Sequence, residues 1–395
     1  MTYDKRKIEF SQLLEYLAQS LDIPESYFKK AEDRYLSVGK WLERKESIVA
    51  VFNPSIYPQG SFLLGTVIKP ATDRDAYDID LVCQLALSKS RITQKQLKDM
   101  VGTEIKSYVT ANDMNSPAKE GRRCWTLEYS DEASFHMDIL PSIPENDINR
   151  KFLNNLGVSS NITDLAIAIT DNTLPNYAVI SEEWLKSNPK GFAAWFKERM
   201  KIRFEERRMI VAKAISAKAE DVPEYKVKTT LQRSIQLLKR HRDIRFINDK
   251  DDKPVSMIIT TLAAHAYNNE ADLYDAMMSI VNGMANYIQD RGGISWVPNP
   301  VNPEENFADK WREHPERERK FRAWLKQVKA DLEAAYQCRY FEEMLDKLKP
   351  KFGDRLVNQA ASKMPAETKP AAIAAASAVP AIHISNPSKP WGMKK

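Results

Sequence analysis

The sequence predicts an α+β fold, in which a β-sheet core is followed by a helical C-terminal lobe. In the first half, β-rich segments at Tyr77–Leu85, Cys124–Tyr129 and Ser134–Ile139 lie around an amphipathic helix at Lys95–Val109. From residue 189 onwards the chain becomes mostly helical, with apolar residues at helical spacing. Strands and a helix followed by a run of helices are typical of the α+β class.

These patterns divide the chain into three regions. Residues 1–190 contain the sheet core, preceded by two scaffold helices that are predicted within residues 5–45 and separated at Pro24. Residues 191–359 form the helical lobe. From residue 360, alanine, proline, serine and lysine dominate. Such a segment cannot bury enough apolar surface to fold alone, so residues 360–395 are predicted to be a flexible tail.

The composition is that of an ordinary globular protein. Of 395 residues, 43% are hydrophobic and 29% are charged, which is enough apolar material for two or three packed units. The net charge of +5, from 59 basic and 54 acidic residues, is mild for this length. It permits an anionic ligand, but a solvated surface of mixed charge explains it equally well and it does not indicate a nucleic-acid-binding protein.

Cysteine usage and the chain's apolar segments indicate a reducing compartment. Cys83, Cys124 and Cys338 are widely spaced and odd in number, so they form neither a disulfide framework nor a zinc-binding pattern. The N-terminal MTYDKRKIEF lacks the apolar centre of a signal peptide, and no run approaches the roughly 18 apolar residues of a membrane span. We therefore expect a cytoplasmic protein with no membrane segment.

Two aspartates are placed on one face of the strand predicted at Tyr77–Leu85. Side chains alternate along a strand, so Asp78 and Asp80 point the same way, while Ile79 and Leu81 point towards the core. Neighbouring carboxylates repel each other, and a bound divalent cation removes that cost. A solvated pair on an exposed strand face is the alternative.

A third aspartate interrupts the apolar segment FHMDILPSIP. Asp138 shares a strand face with His136, opposite Met137 and Ile139, and it follows Asp80 by 58 residues. That separation is enough for a crossover helix and a hairpin to bring Asp138 next to Asp80. Aspartate is disfavoured in such a strand unless it is paired or ligated, so it predicts either a metal ligand or a buried ion pair with an arginine.

The step Gly60-Ser61 precedes the two strand aspartates, and Asp78 follows Ser61 by 17 residues. A glycine–serine turn can present backbone N–H groups and a hydroxyl to phosphate oxygens. Three aspartates that converge from two strands can hold two divalent ions, which suits in-line displacement at phosphorus. The combination predicts a metal-dependent site for a phosphorylated substrate.

The order Gly60-Ser61, Asp78-Ile79-Asp80 and Asp138 resembles the signature of the polymerase-β-like nucleotidyltransferases. More specifically, the chain resembles the CD-NTases, the cyclic GMP–AMP synthase and DncV-like nucleotidyltransferases of bacterial antiphage signalling, and more distantly oligoadenylate synthetase. The resemblance spans residues 58–311 and is carried by the segments PQGSFLLGT, YDIDLV, FHMDILPSIP, SNPKGFAAWF, LQRSIQLLKRHRD and NFADKW. It implies a nucleotidyltransferase core with a mixed sheet that faces an oligoadenylate-synthetase-like helical lobe, with the active site in the cleft between them.

The resemblance also implies roles for the sheet residues. Asp78 and Asp80 would bind two Mg²⁺ ions, with Mn²⁺ as a possible substitute, and they would act as catalytic residues. Asp138 would bind the catalytic ion and help to deprotonate the acceptor hydroxyl of a ribose. Gly60 and Ser61 would hold the triphosphate of the donor nucleotide.

Two residues of the helical lobe are implied as further triphosphate contacts, Lys239 in SIQLLKRHRD and Ser256 in KPVSMIITTL. An exposed basic helix face is the alternative for Lys239, and a helix cap is the alternative for Ser256. Relatives often carry a base-stacking aromatic residue after that serine, whereas this chain has Met257. The nearby Arg240, Arg242 and Arg245 are interpreted as surface residues.

The implied function is the Mg²⁺-dependent synthesis of a cyclic di- or trinucleotide second messenger in antiphage defence, from ATP, GTP or other nucleoside triphosphates. One alternative is a nucleotidyltransferase that forms linear oligonucleotides or modifies a protein. A second alternative is a non-catalytic protein that binds nucleotides or RNA.

The C-terminal segment NPSKPWGMKK provides a short motif at the end of the predicted tail, and a regulatory protein could capture such a terminus. A disordered end without a role is the alternative. The animal cyclic GMP–AMP synthase senses DNA through a zinc-binding insertion. The spacing of Cys83, Cys124 and Cys338 does not provide such an insertion, so zinc-dependent DNA sensing is not expected.

Overall fold

A computed structural model describes residues 3–70, 77–129 and 135–365. Its α-helices are α1 Tyr3–Ser20, α2 Glu25–Glu43, α3 Gly60–Leu63, α4 Gln94–Ala111, α5 Asp147–Asn155, α6 Ser160–Thr163, α7 Pro189–Ala214, α8 Thr230–Arg245, α9 Ser256–Ala266, α10 Leu273–Gly283, α11 Lys310–Glu313, α12 Pro315–Gln337, α13 Phe341–Phe352 and α14 Asp354–Ser362. Its strands are β1 Ser55–Pro58, β2 Tyr77–Gln84, β3 Lys119–Glu120, β4 Trp125–Tyr129, β5 Phe135–Pro144, β6 Ile167–Ile169, β7 Leu185–Ser187, β8 Gln289–Asp290, β9 Ser295–Trp296, β10 Pro298–Asn299 and β11 Asn302–Asn306.

The central sheet is mixed, as predicted. Its order is β1-β2-β5-β4-β3, and β6 pairs with the far end of β5 and with β7. Strands β2 and β5 are parallel, whereas the pairs β1–β2, β4–β5 and β5–β6 are antiparallel. Between β2 and β5 the chain passes through α4 and the β3–β4 hairpin, which is the long crossover that a parallel pair requires.

One face of the sheet is packed against helices. Ile79 and Leu81 of β2 and Met137 and Ile139 of β5 are completely buried or nearly so, and they share a core with apolar residues of α2 and α4. The alternate residues of both strands, which include the aspartates, therefore point to the opposite face.

The helices after residue 189 form a second core, and α1 packs in it. Phe10, Leu13 and Leu17 of α1 are fully buried among side chains of α8, α10 and α12–α14. By contrast, Val38 and Leu42 of α2 belong to the core beneath the sheet. The first helix thus lies with the helical lobe although the sequence division assigned it to residues 1–190, because its partners are determined by tertiary packing.

The predicted start of the tail at residue 360 was wrong. Helix α14 continues to Ser362, and Ala360, Ala361 and Met364 are buried in the helical core. Alanine suits a close helix contact, so a composition rich in alanine did not mark the end of the packed chain. Residues 366–395, including the NPSKPWGMKK motif, lie outside the described residues. In the described part of the chain, none of the helices combines the length and apolar character needed to cross a bilayer.

Candidate active site

The parallel register of β2 and β5 places the aspartates side by side. Asp80 is the direct partner of Asp138, and Asp78 is the direct partner of His136. Neighbouring strands are about 4.8 Å apart, and partners in register point to the same face. The structure therefore brings Asp78, Asp80 and Asp138 onto one patch of the sheet that the helical core does not cover.

Asp78 is at the exposed end of this patch. Its side chain is 81% exposed, and its Oδ1 lies 3.7 Å from Nδ1 of His136, which is itself 49% exposed. Asp78 is accessible to a ligand that approaches from solvent.

Asp80 is deeper and carries an electrostatic cost. Burial, together with the nearby carboxylates of Asp138 and Asp78, raises the pKa of Asp80 to about 6, and Lys239 partly opposes this shift. Partial burial of like charges disfavours the ionised form. A cation bound at this carboxylate would remove that cost.

The Gly60-Ser61 turn contacts Asp80 directly. Gly60 has φ +59°, and a Cβ built on it would be 2.7 Å from Oδ2 of Asp80. The N–H of Gln59 donates to the main-chain oxygen of Asp80 at 2.7 Å. Only glycine adopts this backbone conformation at this distance without strain. The sequence position of Gly60 is therefore explained by its contact with the carboxylate patch.

Ser61 is the second residue of the short helix α3 and is half-buried. Its main-chain oxygen accepts the N–H of Thr66 at 3.0 Å, and Gly60 O accepts the N–H of Leu64 at 3.1 Å. These bonds fix the turn to the segment that follows it.

Lys239 reaches the turn region from the helical lobe. It is 5% exposed, and its Nζ donates to Thr66 O at 3.1 Å and to Thr66 Oγ1 at 3.3 Å. The pKa of Lys239 is lowered to about 7 by burial and by Arg242, while Asp243 and Asp80 oppose the shift. The alternative of an exposed basic face is wrong for Lys239. The surface prediction was also wrong for Arg240 and Arg242, which are buried as well, whereas Arg245 is exposed as predicted.

Ser256 is the first residue of α9, and the cap position is occupied by Val255, so Ser256 is not the helix cap. Its Oγ accepts a hydrogen bond from Arg242 Nη1 at 2.7 Å. Met257 is half-buried against the helical core. The structure links Ser256 to the basic side of α8, and among the described residues its hydroxyl has no hydrogen bond to Asp78, Asp80 or Asp138.

One residue near the site was missed. Thr126 of β4 is the register partner of Asp138, and its Oγ1 donates to Asp138 Oδ1 at 2.5 Å. Alternation along WTLEY provides a signal, because Trp125 and Leu127 are buried and Thr126 therefore shares the face of the aspartates once β4 is paired with β5. Thr126 fixes the orientation of the Asp138 carboxylate.

The donor chemistry of the patch fits magnesium. Carboxylate oxygens are the ligands that Mg²⁺ prefers, and protein sites often supply only one or two of them alongside substrate phosphates and water. Within the described ranges, no three acidic, histidine or cysteine side chains converge closely enough to enclose an ion. Asp78, Asp80 and Asp138 thus fit a metal site that is completed by a nucleotide.

The fold and this patch define the class. A mixed sheet with carboxylates on adjacent parallel strands, a glycine turn in contact with them and a helical C-terminal region is an α+β nucleotidyltransferase. Residues 54–141 match the family model of the nucleotidyltransferase domain of cyclic GMP–AMP synthases of the DncV-like type.

Comparison with known proteins narrows this class. The chain is 27% identical over 350 residues to a c-di-GMP synthase of Roseivirga ehrenbergii, and the alignment covers 88% of this chain and 85% of that protein. It is 26% identical over 364 residues to the cyclic dinucleotide synthase CdnG of Bradyrhizobium diazoefficiens, with coverage of 88% and 81%. The structure of the B. diazoefficiens CD-NTase CdnG in complex with GTP superimposes with a TM-score of 0.68 at 25% identity, over 89% of this chain and 97% of that chain. Over most of its length the chain is therefore similar to nucleotidyltransferases of the CD-NTase type.

Proposed function

We propose that this nucleotidyltransferase uses Mg²⁺ to join nucleoside triphosphates into a cyclic dinucleotide second messenger in antiphage defence. The observation that carries the proposal is the register of β2 and β5, which places Asp80 next to Asp138 while Gly60 contacts Asp80. The aspartates proposed to bind metal are therefore in direct contact with the turn proposed to bind phosphate.

Each residue has a distinct role in this proposal. Asp78 and Asp80 hold the metal ions, and Asp138, oriented by Thr126, accepts a proton from the ribose hydroxyl of the acceptor. The backbone N–H groups and hydroxyl of Gly60-Ser61 hold the donor triphosphate, and Lys239 adds a positive charge near the same turn. Bound Mg²⁺ supplies charge neutralisation and lowers the pKa of the attacking hydroxyl.

The proposed reaction consists of two successive nucleotidyl transfers. The acceptor oxygen forms a bond to the α-phosphorus of the donor, the bond from that phosphorus to the β-phosphate oxygen breaks, and pyrophosphate leaves. The linear intermediate then turns in the site, and its own free ribose hydroxyl closes the ring in the same way. Positioning and electrostatics carry most of the rate in such transfers.

A guanine-containing product is favoured by the relatives. One is named as a c-di-GMP synthase, another as a cyclic dinucleotide synthase, and the latter was solved with GTP. We therefore propose that GTP is a substrate and that the product is a cyclic dinucleotide. The cyclic trinucleotide, which the sequence analysis also allowed, is not favoured.

Mass spectrometry of reactions with GTP, ATP and mixed nucleotides, each with Mg²⁺ or Mn²⁺, tests the proposal. We expect a phosphatase-resistant product with the mass of a cyclic dinucleotide in the reactions that contain GTP. Asp78→Ala should abolish it, while Asp251→Ala, at an exposed position before α9, should not. Equal behaviour of wild type and Asp78→Ala would overturn the catalytic assignment.

The same reactions separate the alternatives. A product that phosphatase degrades would indicate a linear oligonucleotide, and label transferred to polypeptide would indicate protein modification. Salt-dependent RNA binding without turnover would favour a non-catalytic binder.

The biological setting is also part of the proposal. We propose a cytoplasmic enzyme whose tail, residues 366–395, is captured by a regulatory protein. Phage plaque counts on cells that carry the intact system, the Asp78→Ala variant or a deletion of residues 366–395 test both ideas. Protection that survives Asp78→Ala would exclude nucleotide signalling, and protection that survives the deletion would exclude control through the tail.

A further inference from the structure

Helix α8 is buried on every side although much of it is polar. Every residue from Thr230 to Arg242 is buried, including Gln232, Gln236 and Lys239. A helix buried all round is normally apolar all round. Buried polar side chains need hydrogen-bond partners, so the identity of those partners explains why α8 is polar.

The partners on one stripe of α8 are main-chain oxygens of a single segment, residues 64–67. Lys228, just before the helix, and three residues within it each donate to one of these oxygens, and we call this set the α8 clamp. The bonds run from Lys228 Nζ to Gly65 O at 2.7 Å, from Gln232 Nε2 to Leu64 O at 2.9 Å, from Gln236 Nε2 to Val67 O at 2.9 Å, and from Lys239 Nζ to Thr66 O at 3.1 Å.

The sequence spacing of the donor residues explains why they reach the same segment. Gln232, Gln236 and Lys239 are separated by 4 and 3 residues, and such spacings place side chains on one helix face, while Lys228 adds a bond just before the helix begins. Segment 64–67 lies along that face: Lys228 and Gln232 hold its first two residues, and Gln236 and Lys239 hold its last two. The clamp fixes an irregular stretch of backbone to a rigid helix.

The clamped segment is the direct continuation of the Gly60-Ser61 turn. The N–H of Leu64 bonds to Gly60 O at 3.1 Å, and the N–H of Thr66 bonds to Ser61 O at 3.0 Å. A displacement of segment 64–67 therefore moves the turn, and the turn contacts Asp80. The helical lobe is mechanically connected to the phosphate-binding turn through these bonds.

We propose that the α8 clamp positions the Gly60-Ser61 turn for the donor nucleotide and that Gln236 is a positioning residue for the reaction. The inference rests on the proposed function. Gln236 is fully buried and neutral. Besides Val67 O, its amide donates to Asp22 Oδ1 at 2.9 Å and accepts from Arg233 at 3.1 Å.

Gln236 is the member of the clamp whose replacement tests the positioning of the turn without removing a helix cap or a proposed triphosphate contact. Gln232 also completes the capping box with Thr229, so its replacement would damage the start of α8. Lys239 is proposed to contact the triphosphate itself. Asp22 keeps its bonds to Arg233 Nη1 at 2.7 Å when Gln236 is changed, so its charge stays paired.

The test is Gln236→Met, which keeps the length of the side chain and removes its donor. Of the three hydrogen bonds that the substitution removes, only the one to Val67 O holds segment 64–67, and its loss corresponds to about a tenfold change in a local equilibrium. We expect backbone amides in residues 60–67 to exchange hydrogen about tenfold faster, and the Kd of a non-hydrolysable GTP analogue and the KM for GTP to rise by a similar factor. The value of kcat should change less.

Gln94→Met is the matched control, because Gln94 of α4 is also completely buried and hydrogen-bonded, donating to Asn176 Oδ1 at 3.3 Å and accepting the N–H of Asp171 at 2.9 Å, and it is not part of the clamp. It should leave exchange in residues 60–67 and nucleotide affinity as in wild type. The proposal is overturned if both variants change these quantities equally, or if Gln236→Met lowers only the melting temperature. Exchange and Kd need no turnover, so a wild type that makes no product would refute the proposed function without deciding the clamp.

Discussion

Gly60 and Asp80 are in direct contact, and the contact leaves no room for a side chain on Gly60. A Cβ at this position would stand 2.7 Å from Asp80 Oδ2, and the backbone has φ +59°. The residue that opens the proposed phosphate-binding turn is therefore tied to the carboxylate at the centre of the proposed metal-binding patch. Any change that moves one of them moves the other.

Gly60→Ala should abolish nucleotide synthesis, with a loss of at least about a hundredfold in kcat/KM, because a displacement of about 1 Å at a reacting centre has that effect. Gly157→Ala is the matched control. Gly157 also has a positive φ, of +88°, but a Cβ there would meet nothing within 4 Å. In both variants the left-handed backbone conformation of the new alanine lowers the free energy of unfolding by about 1–2 kcal/mol.

The comparison between these two variants separates the effect of backbone strain from the effect of the contact between residue 60 and Asp80. We expect similar melting temperatures for both, whereas only Gly60→Ala should lose activity. If Gly157→Ala is equally inactive, backbone strain alone explains the loss and the contact with Asp80 is not required.

Asp80→Asn should stabilise the metal-free protein at neutral pH. The pKa of Asp80 is raised to about 6 in the folded state, against about 3.9 in an unfolded chain. The protonated form is thus favoured by folding, and this contribution is fully present below about pH 4 and lost as the pH rises through 6. A full two-unit shift corresponds to about 3 kcal/mol, and partial exposure of the carboxylate reduces the expected gain to about 1–2 kcal/mol.

Urea unfolding between pH 4 and 8 in the presence of a chelator measures this effect. The variant should be more stable than wild type at pH 7.5, and the difference should vanish near pH 4. Asp251→Asn, at an exposed position, should show no such pH dependence. Added Mg²⁺ with nucleotide should stabilise wild type more than Asp80→Asn. A wild type that is more stable than the variant at pH 7.5 without metal contradicts the prediction.

Thr126→Val tests whether the orientation of Asp138 matters. Valine has nearly the same shape as threonine and lacks the hydroxyl that donates to Asp138 Oδ1. Partners that orient metal ligands typically contribute about 10–100-fold. We expect kcat to fall about tenfold or more while the fold is retained, because valine suits a strand.

Thr110→Val is the control for this substitution, since Thr110 donates to Lys106 O at 3.2 Å on the exposed side of α4. It should leave kcat unchanged. An unchanged kcat in Thr126→Val would show that Asp138 needs no hydrogen bond to hold its position.

The local sequence was sufficient to predict which face of each strand carries the aspartates of the site. The two-residue period of a strand places Asp78 with Asp80, and Asp138 opposite Met137, without any knowledge of the fold. The strands and the helical region that follows them were predicted correctly for the same reason, because both periods are visible over short windows, whereas the mixed pairing of the sheet was implied by the family resemblance.

Long-range pairing was not available from the sequence. The bond from Lys239 to Thr66 joins residues that are 173 positions apart, and the burial of α8 depends on helices before and after it. A polar helix with basic residues is normally exposed, so Arg240 and Arg242 were misplaced. The contact of Gly60 with Asp80 and the role of Thr126 likewise required the register of the sheet.

Lys239 should couple nucleotide binding to proton uptake. Burial lowers the pKa of Lys239 to about 7 in the nucleotide-free protein, and a triphosphate favours the charged ammonium. Above pH 7 the free protein has lost part of this charge, so binding must restore a proton. The affinity for a non-hydrolysable GTP analogue should therefore fall between pH 7 and 9, by up to about tenfold per pH unit.

Calorimetry in buffers with different ionisation enthalpies measures this proton uptake directly, and the range above pH 7 lies beyond the titration of Asp80. Lys239→Arg keeps a positive charge throughout, so it should bind the analogue with little pH dependence and without proton uptake. Lys239→Met should bind more weakly at every pH. If Lys239→Arg retains the slope of wild type, another group takes up the proton, and Lys239 then serves only to hold Thr66.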